Sequence, residues 1–179
     1  TPKMLSPVID IQSGGLRSAT FVAGCRELQK LLALDETQHR RAMAAAETAQ
    51  LRFEQQLLGL GRRALAFCRA QEIVPVVVLG RSYTIDNPVL NSNVPAILRE
   101  QGALPIPIDC YPVDEATPLF EDMFWGYGQR NLRAAHQIRR SDGVYAVWCS
   151  NYACGPDSFT VHLLNYLMEG KPYVVIETD

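Results

Sequence analysis

The stretch of this 179-residue chain best suited to chemistry reads Asn-Tyr-Ala-Cys-Gly-Pro-Asp-Ser-Phe over residues 151–159. It sets a thiol, Cys154, at a glycine-containing turn just before a helix whose expected N-cap is Asp157 or Ser158. A helix N-terminus favours negative charge, so a thiol there suits a reactive nucleophile and equally a thiolate bound to iron. The plainer alternative is a small buried cysteine beside a tight turn. Residue types alone leave all three open.

Other candidates gather around the same edge. Cys149 ends one expected strand and Cys110 ends the strand before it, so two further sulfurs fall near Cys154. An iron-sulfur cluster ordinarily takes four cysteines, or three and another ligand, and three candidates do not complete a set. Cys149 sits in the apolar run Val147-Trp148-Cys149 and reads first as core, while Cys25 and Cys68 belong to helical stripes and read as packing. His136 and His162 fall on helices and read as structural imidazoles. Asp86, Asn87, Asp109 and Asp114 have the chemistry to bind a metal at the strand edge, but these are also ordinary turn and cap residues. No G-x-S-x-G, G-x-x-x-x-G-K-[ST] or H-E-x-x-H motif occurs. Trp125-Gly126-Tyr127-Gly128 follows no strand directly, so it is no dinucleotide fingerprint. Phe124, Trp125 and Tyr127 are expected to wall a pocket or an interface.

Composition bounds the classes. With 47% hydrophobic and 20% charged residues the chain reads as an ordinary globular protein. A formal net charge of −2 supplies no overall basic field for a phosphate backbone, so nucleic acid is not an expected partner. The five cysteines form no C-x-x-C pair and are odd in number, which fits a reducing, cytoplasmic compartment. No apolar run approaches the length of about 18 residues that a membrane span requires, and no membrane partner is expected. The chain starts at Thr1 and stops at Asp179, directly after a strand-like run, and is expected to be part of a longer polypeptide.

Elements that position these residues follow from periodicity. Residues 4–11 are β-prone but interrupted by Pro7, which restricts any strand there to an edge or its own beginning. Residues 20–33 and 35–71 read as helices, and in the second Ala46, Ala49, Phe53, Leu57, Leu60, Ala64 and Phe67 recur at steps of three and four. That stripe is expected to be buried against a neighbouring helix or a partner, a homodimer being one possibility. After residue 72 the grammar alternates. Apolar runs over 73–79, 103–109, 143–149 and 173–177 read as strands, and 94–101, 124–140 and 158–169 as helices. The first run is continuously apolar and is expected to lie centrally, covered on both faces. Such alternation implies right-handed crossovers and a parallel α/β sheet of about four strands, preceded by a helical hairpin. The expected division is 1–72 and 73–179. Ligands in such sheets collect beyond the carboxyl ends of the strands, here residues 80–87, 110–114, 149–158 and 178–179.

Three segments carry a resemblance. Gly-Arg-Ser-Tyr-Thr-Ile-Asp-Asn-Pro-Val-Leu-Asn over 80–91, Met-Phe-Trp-Gly-Tyr-Gly-Gln-Arg over 123–130 and the Cys154 segment over 151–159, in that order and spacing, are similar to the 2-hydroxyacyl-CoA dehydratase component D and activase-related family. The similarity covers residues 73–179 well and the helical start loosely. It implies a flavodoxin-like doubly wound domain of an iron-sulfur protein, in which ATP-driven low-potential electron transfer serves a radical dehydration or another difficult reduction. It further implies a [4Fe-4S] cluster whose ligands come from more than one domain. Cys154 is then the candidate metal ligand, with Tyr83, Asn87, Asn151, Gly155, Asp157 and Ser158 as candidate cofactor-binding residues around it. The implied partners are the remaining domains of the parent chain and an ATP-dependent activator module. Cys110 and Cys149 do not fall on recognised motif positions, and no nucleotide-binding motif is present. A non-catalytic assembly module of the same fold, and a thiol enzyme using Cys154, remain the alternatives.

Overall fold

The computed structural model describes residues 4, 6, 8, 15–117, 119, 120, 122–151 and 154–178. The strand expected over 4–11 lies largely outside them, as do Tyr152 and Ala153. Two compact units divide the chain at Gln55 and Gln56.

The first unit contains helix α1, Ala19–Leu31, and the opening turns of helix α2, Glu36–Gln71. Ser18 caps α1 by accepting the Phe21 N–H on its hydroxyl. At the start of α2 the Asp35 carboxylate accepts the Gln38 N–H at 2.8 Å while the Gln38 side chain accepts the Asp35 N–H at 2.9 Å, a reciprocal capping box. Arg26 of α1 pairs with Glu36 of α2, and Arg17, just before α1, pairs with Glu47 of α2. This is the expected hairpin.

The second unit contains strand β1, Val74–Gly80, the single-turn helix α3, Ser82–Ile85, and helix α4, Val94–Glu100. Strand β2, Ala103–Pro107, runs into a 3-10 turn over Ile108–Cys110. Helix α5, Gly126–Arg139, leads to strand β3, Tyr145–Asn151, and helix α6, Gly155–Leu167, to strand β4, Tyr173–Thr178. The sheet is four-stranded and parallel in the order β2-β1-β3-β4, the opening order of a flavodoxin-like fold. β1 lies centrally, as its continuous apolar run requires, and six of its seven residues are buried. Val77, Leu79, Ile106, Leu132, Ile138, Trp148 and Leu164 form the middle of the core. Each such side chain contributes about 1.5–3 kcal/mol through removal from water. Gly102 and Gly170, at φ 79° and 77°, end α4 and α6 in left-handed backbone, as their positions after the helices imply.

Two expectations need revision. The stripe on α2 is only partly covered within the chain: Phe53, Leu60 and Phe67 are 55%, 48% and 51% exposed, open to a partner, while Ala64 packs on the core. Beside Ala64 the helix packs through Gly61, Leu65 and Cys68. A β-carbon on Gly61 would sit 1.7 Å from the Cys110 carbonyl oxygen, so the closest approach is made by a residue with no side chain for periodicity to register. The second correction concerns α6, which begins at Gly155 with Cys154 as its N-cap, not at Asp157 or Ser158. Pro156 occupies the first turn, where a missing N–H costs nothing.

Candidate functional site

In the order β2-β1-β3-β4 the chain reverses its direction of travel between β1 and β3, and the crevice beyond their carboxyl ends is where such sheets take ligands. The two strands approach closely there. A β-carbon on Gly80, the last residue of β1, would lie 2.4 Å from the Cys149 carbonyl oxygen, and its φ of 142° suits glycine. The Gly80 peptide is held from α5 by Asn131, whose side-chain oxygen accepts the Gly80 N–H at 3.0 Å while its nitrogen donates to the Gly80 and Tyr127 carbonyls.

Beyond β1, the Arg81 carbonyl accepts the Thr84 and Ile85 N–H groups and so starts α3. Asn87 folds the next turn by accepting the Val89 and Leu90 N–H groups, and buried Asn91 donates to the Ile85 carbonyl. Beyond β3, the Cys154 N–H donates to the Asn151 carbonyl at 3.0 Å, and the Ser158 hydroxyl donates to the Cys154 carbonyl at 3.0 Å. Cys154 is half-buried and its side chain makes no capping bond. Its sulfur lies 3.9 Å from the Tyr83 hydroxyl. Burial, then the contact with Cys154 and the nearby Asp157 carboxylate, push the Tyr83 phenol above its ordinary range. The space around Gly155 is open.

Asp157 is 1% exposed and fully engaged. One carboxylate oxygen accepts from Arg81 Nε at 2.9 Å and the other from the Asn151 N–H at 3.4 Å. The structure thus brings Tyr83, Asn151, Cys154, Gly155, Asp157 and Ser158 together, and places Asn87 in the neighbouring turn. Arg81 and Asn131 complete the arrangement. Asn131 had a signal in the sequence: it shares the helical spacing of buried Gly128, Ala135 and Ile138, so an amide stood at a core position of α5.

A second polar group lies at the ends of β1 and β2. The Tyr127 hydroxyl donates to both Asp109 oxygens, at 3.1 and 3.2 Å, and burial together with that carboxylate pushes the phenol well up. Asp86 is raised by burial and by Asp109, and Cys110 by burial and by both carboxylates. Asp114 caps its own loop through Ala116 and Thr117. Near Cys154, Trp125 stacks on Phe159 with centroids 5.8 Å apart, and Phe124 meets Trp125 edge-on. A cleft of about 730 Å³ lies at the opposite end of the strands and is lined by Cys68, Arg69, Val74, Tyr111, Gln137 and Val144. It shares no residue with the Cys154 turn.

A four-iron cluster needs four ligands. Among the described residues no three His, Cys, Asp or Glu side chains gather with metal-binding geometry. Cys149 is wholly buried in β3 and burial pushes its thiol up to about 11; Cys25 and Cys68 are buried and raised as well. Cys110 and Cys154 are the partly exposed thiols. None of the helices among the described residues is long and apolar enough to cross a membrane.

The model of a family described as the CoA enzyme activase uncharacterised domain matches residues 1–111. This span is more than half of the chain. It takes in both long helices and the first of the three motifs, and ends before Cys154. No curated protein and no solved structure matches the chain.

Proposed function

The chain belongs to the family of the CoA enzyme activase uncharacterised domain, and from that premise we propose that it is a domain of an iron-sulfur protein of the 2-hydroxyacyl-CoA dehydratase/activase group. In this reading Cys154 holds one iron of a [4Fe-4S] cluster and protein outside these residues supplies the remaining ligands. A cluster of that kind, when bound, supplies low-potential single electrons, delivered by an ATP-driven activator, to a radical dehydration or reduction.

The observation that carries the proposal is the placement of Cys154. It is half-buried at the N-cap of α6, beyond the β1/β3 reversal, at the edge where such sheets take ligands. The chain's other residues prepare that sulfur. Ser158 and Asn151 hold the Cys154 peptide, Gly155 leaves room beside it, and Tyr83 approaches from α3. Asp157, with both oxygens engaged by protein donors, does not compete as a ligand.

Anaerobic iron reconstitution of the full polypeptide tests the reading, with the visible thiolate-to-iron absorbance as readout and Cys154→Ala as the comparison. The variant is expected to bind less iron and lose much of the band. Unchanged iron content eliminates the ligand role. Failure of wild type and variant alike to take up iron would favour the second reading, a cluster-free assembly module of the same fold, which the exposed Leu60 and Phe67 on α2 support.

A further inference from the structure

We propose that the buried Arg81–Asp157 ion pair is a latch that positions Cys154, an inference that rests on the reading of Cys154 as an iron ligand. The first turn of α6 lacks a side-chain cap: Cys154 makes no such bond and Pro156 has no N–H to be capped, so only the Ser158 and Asn151 bonds to the Cys154 peptide hold it locally. Asp157 adds a tertiary restraint from within the helix. Its carboxylate is shared between the ends of two strands, Arg81 just past β1 and the Asn151 N–H at the end of β3.

Arg81 is fixed in turn. Its carbonyl starts α3, and the peptide before it is gripped by Asn131. α3 carries Tyr83, whose hydroxyl returns to the Cys154 sulfur. The contacts close a ring from Arg81 to Asp157, along the first turn of α6 to Cys154, across to Tyr83 and back along α3. Opening the ring at the ion pair releases the turn that holds the sulfur.

Burial argues for a positional role. The Arg81 and Asp157 side chains are 15% and 2% exposed, and a desolvated ion pair is poor value for stability compared with apolar side chains of the same size. Its worth lies in the single geometry it permits. Arg81 reaches Asp157 through Nε alone, and its Nη2 has no partner. A one-nitrogen contact is within the reach of lysine, so the latch predicts that Arg81→Lys preserves what Arg81→Met destroys.

The test has two readouts on the full polypeptide. In the metal-free protein, iodoacetamide labelling of Cys154, followed by mass spectrometry, is expected to be at least fivefold faster in R81M and in D157N than in wild type, and within twofold of wild type in R81K. After reconstitution, iron loss to a chelator is expected to follow the same order. Labelling of buried Cys149 monitors the fold. Equal Cys154 labelling in R81M and wild type overturns the latch, as does R81K behaving like R81M. Exposure of Cys149 together with Cys154 in both R81M and D157N also overturns it, because the pair would then hold the whole fold. If Cys154→Ala leaves iron binding unchanged, the ligand reading fails while the labelling order still judges the latch.

Discussion

Cys149 and Cys154 stand at two levels of one strand-to-helix passage and differ in environment. Cys149 is sealed in β3, and burial lifts its thiol from 9.0 to about 11. A folded-state value above the unfolded one means that the neutral thiol is preferred in the fold. The stability this contributes is present below about pH 9 and is lost as pH rises through about 11, a change on the order of 2–3 kcal/mol. Urea unfolding from pH 8 to 11 is therefore expected to show a steeper alkaline decline in wild type than in Cys149→Ala. Parallel declines would show that the thiol is not held neutral by the fold. At this scale the location of Cys154 was legible, since a cysteine between a strand end and a helix start must lie at the sheet's carboxyl edge. The role of Asp157 was not. Local grammar makes an aspartate beside a helix start its cap, whereas here it serves Arg81, 76 residues away in sequence.

Two glycines of α2 show how packing overrules helix propensity at the scale of an element. Gly61 lies against the Cys110 carbonyl, where an alanine β-carbon would intrude to 1.7 Å, while Gly59 has nothing within 4 Å. Gly61→Ala is expected to destabilise by about 3 kcal/mol, since backbone must shift to admit it. Gly59→Ala is expected to stabilise by about 0.5–1 kcal/mol through helix propensity. Thermal unfolding of the two variants should move in opposite directions, and a shift of the same sign in both would contradict the packing of α2 on the 3-10 turn. The apolar runs located the strands and long helices to within a few residues because their periods differ clearly. α3 escaped notice because four residues are too few to display a period. The inner face of α2 was legible only in part, through Ala64, because its closest contact rests on Gly61.

At the scale of the molecule, alternation of strand and helix was enough to imply a parallel sheet with right-handed crossovers, and the order β2-β1-β3-β4 then puts the reversal, where such sheets take ligands, between the ends of β1 and β3. Pro105 and Pro107 remove donors from β2, an edge strand where prolines are tolerated. Lateral association through that edge is correspondingly disfavoured. Family membership rests on residues 1–111, and the thiol that matters most lies beyond them, so the ligand role must be decided on Cys154 itself. Mössbauer spectra of the reconstituted full polypeptide provide the most direct measurement, comparing wild type with Cys154→Ser, which exchanges a thiolate for an alkoxide at one position. A changed isomer shift at one iron site of the cluster is the predicted result; superimposable spectra at equal iron content would contradict Cys154 as a ligand.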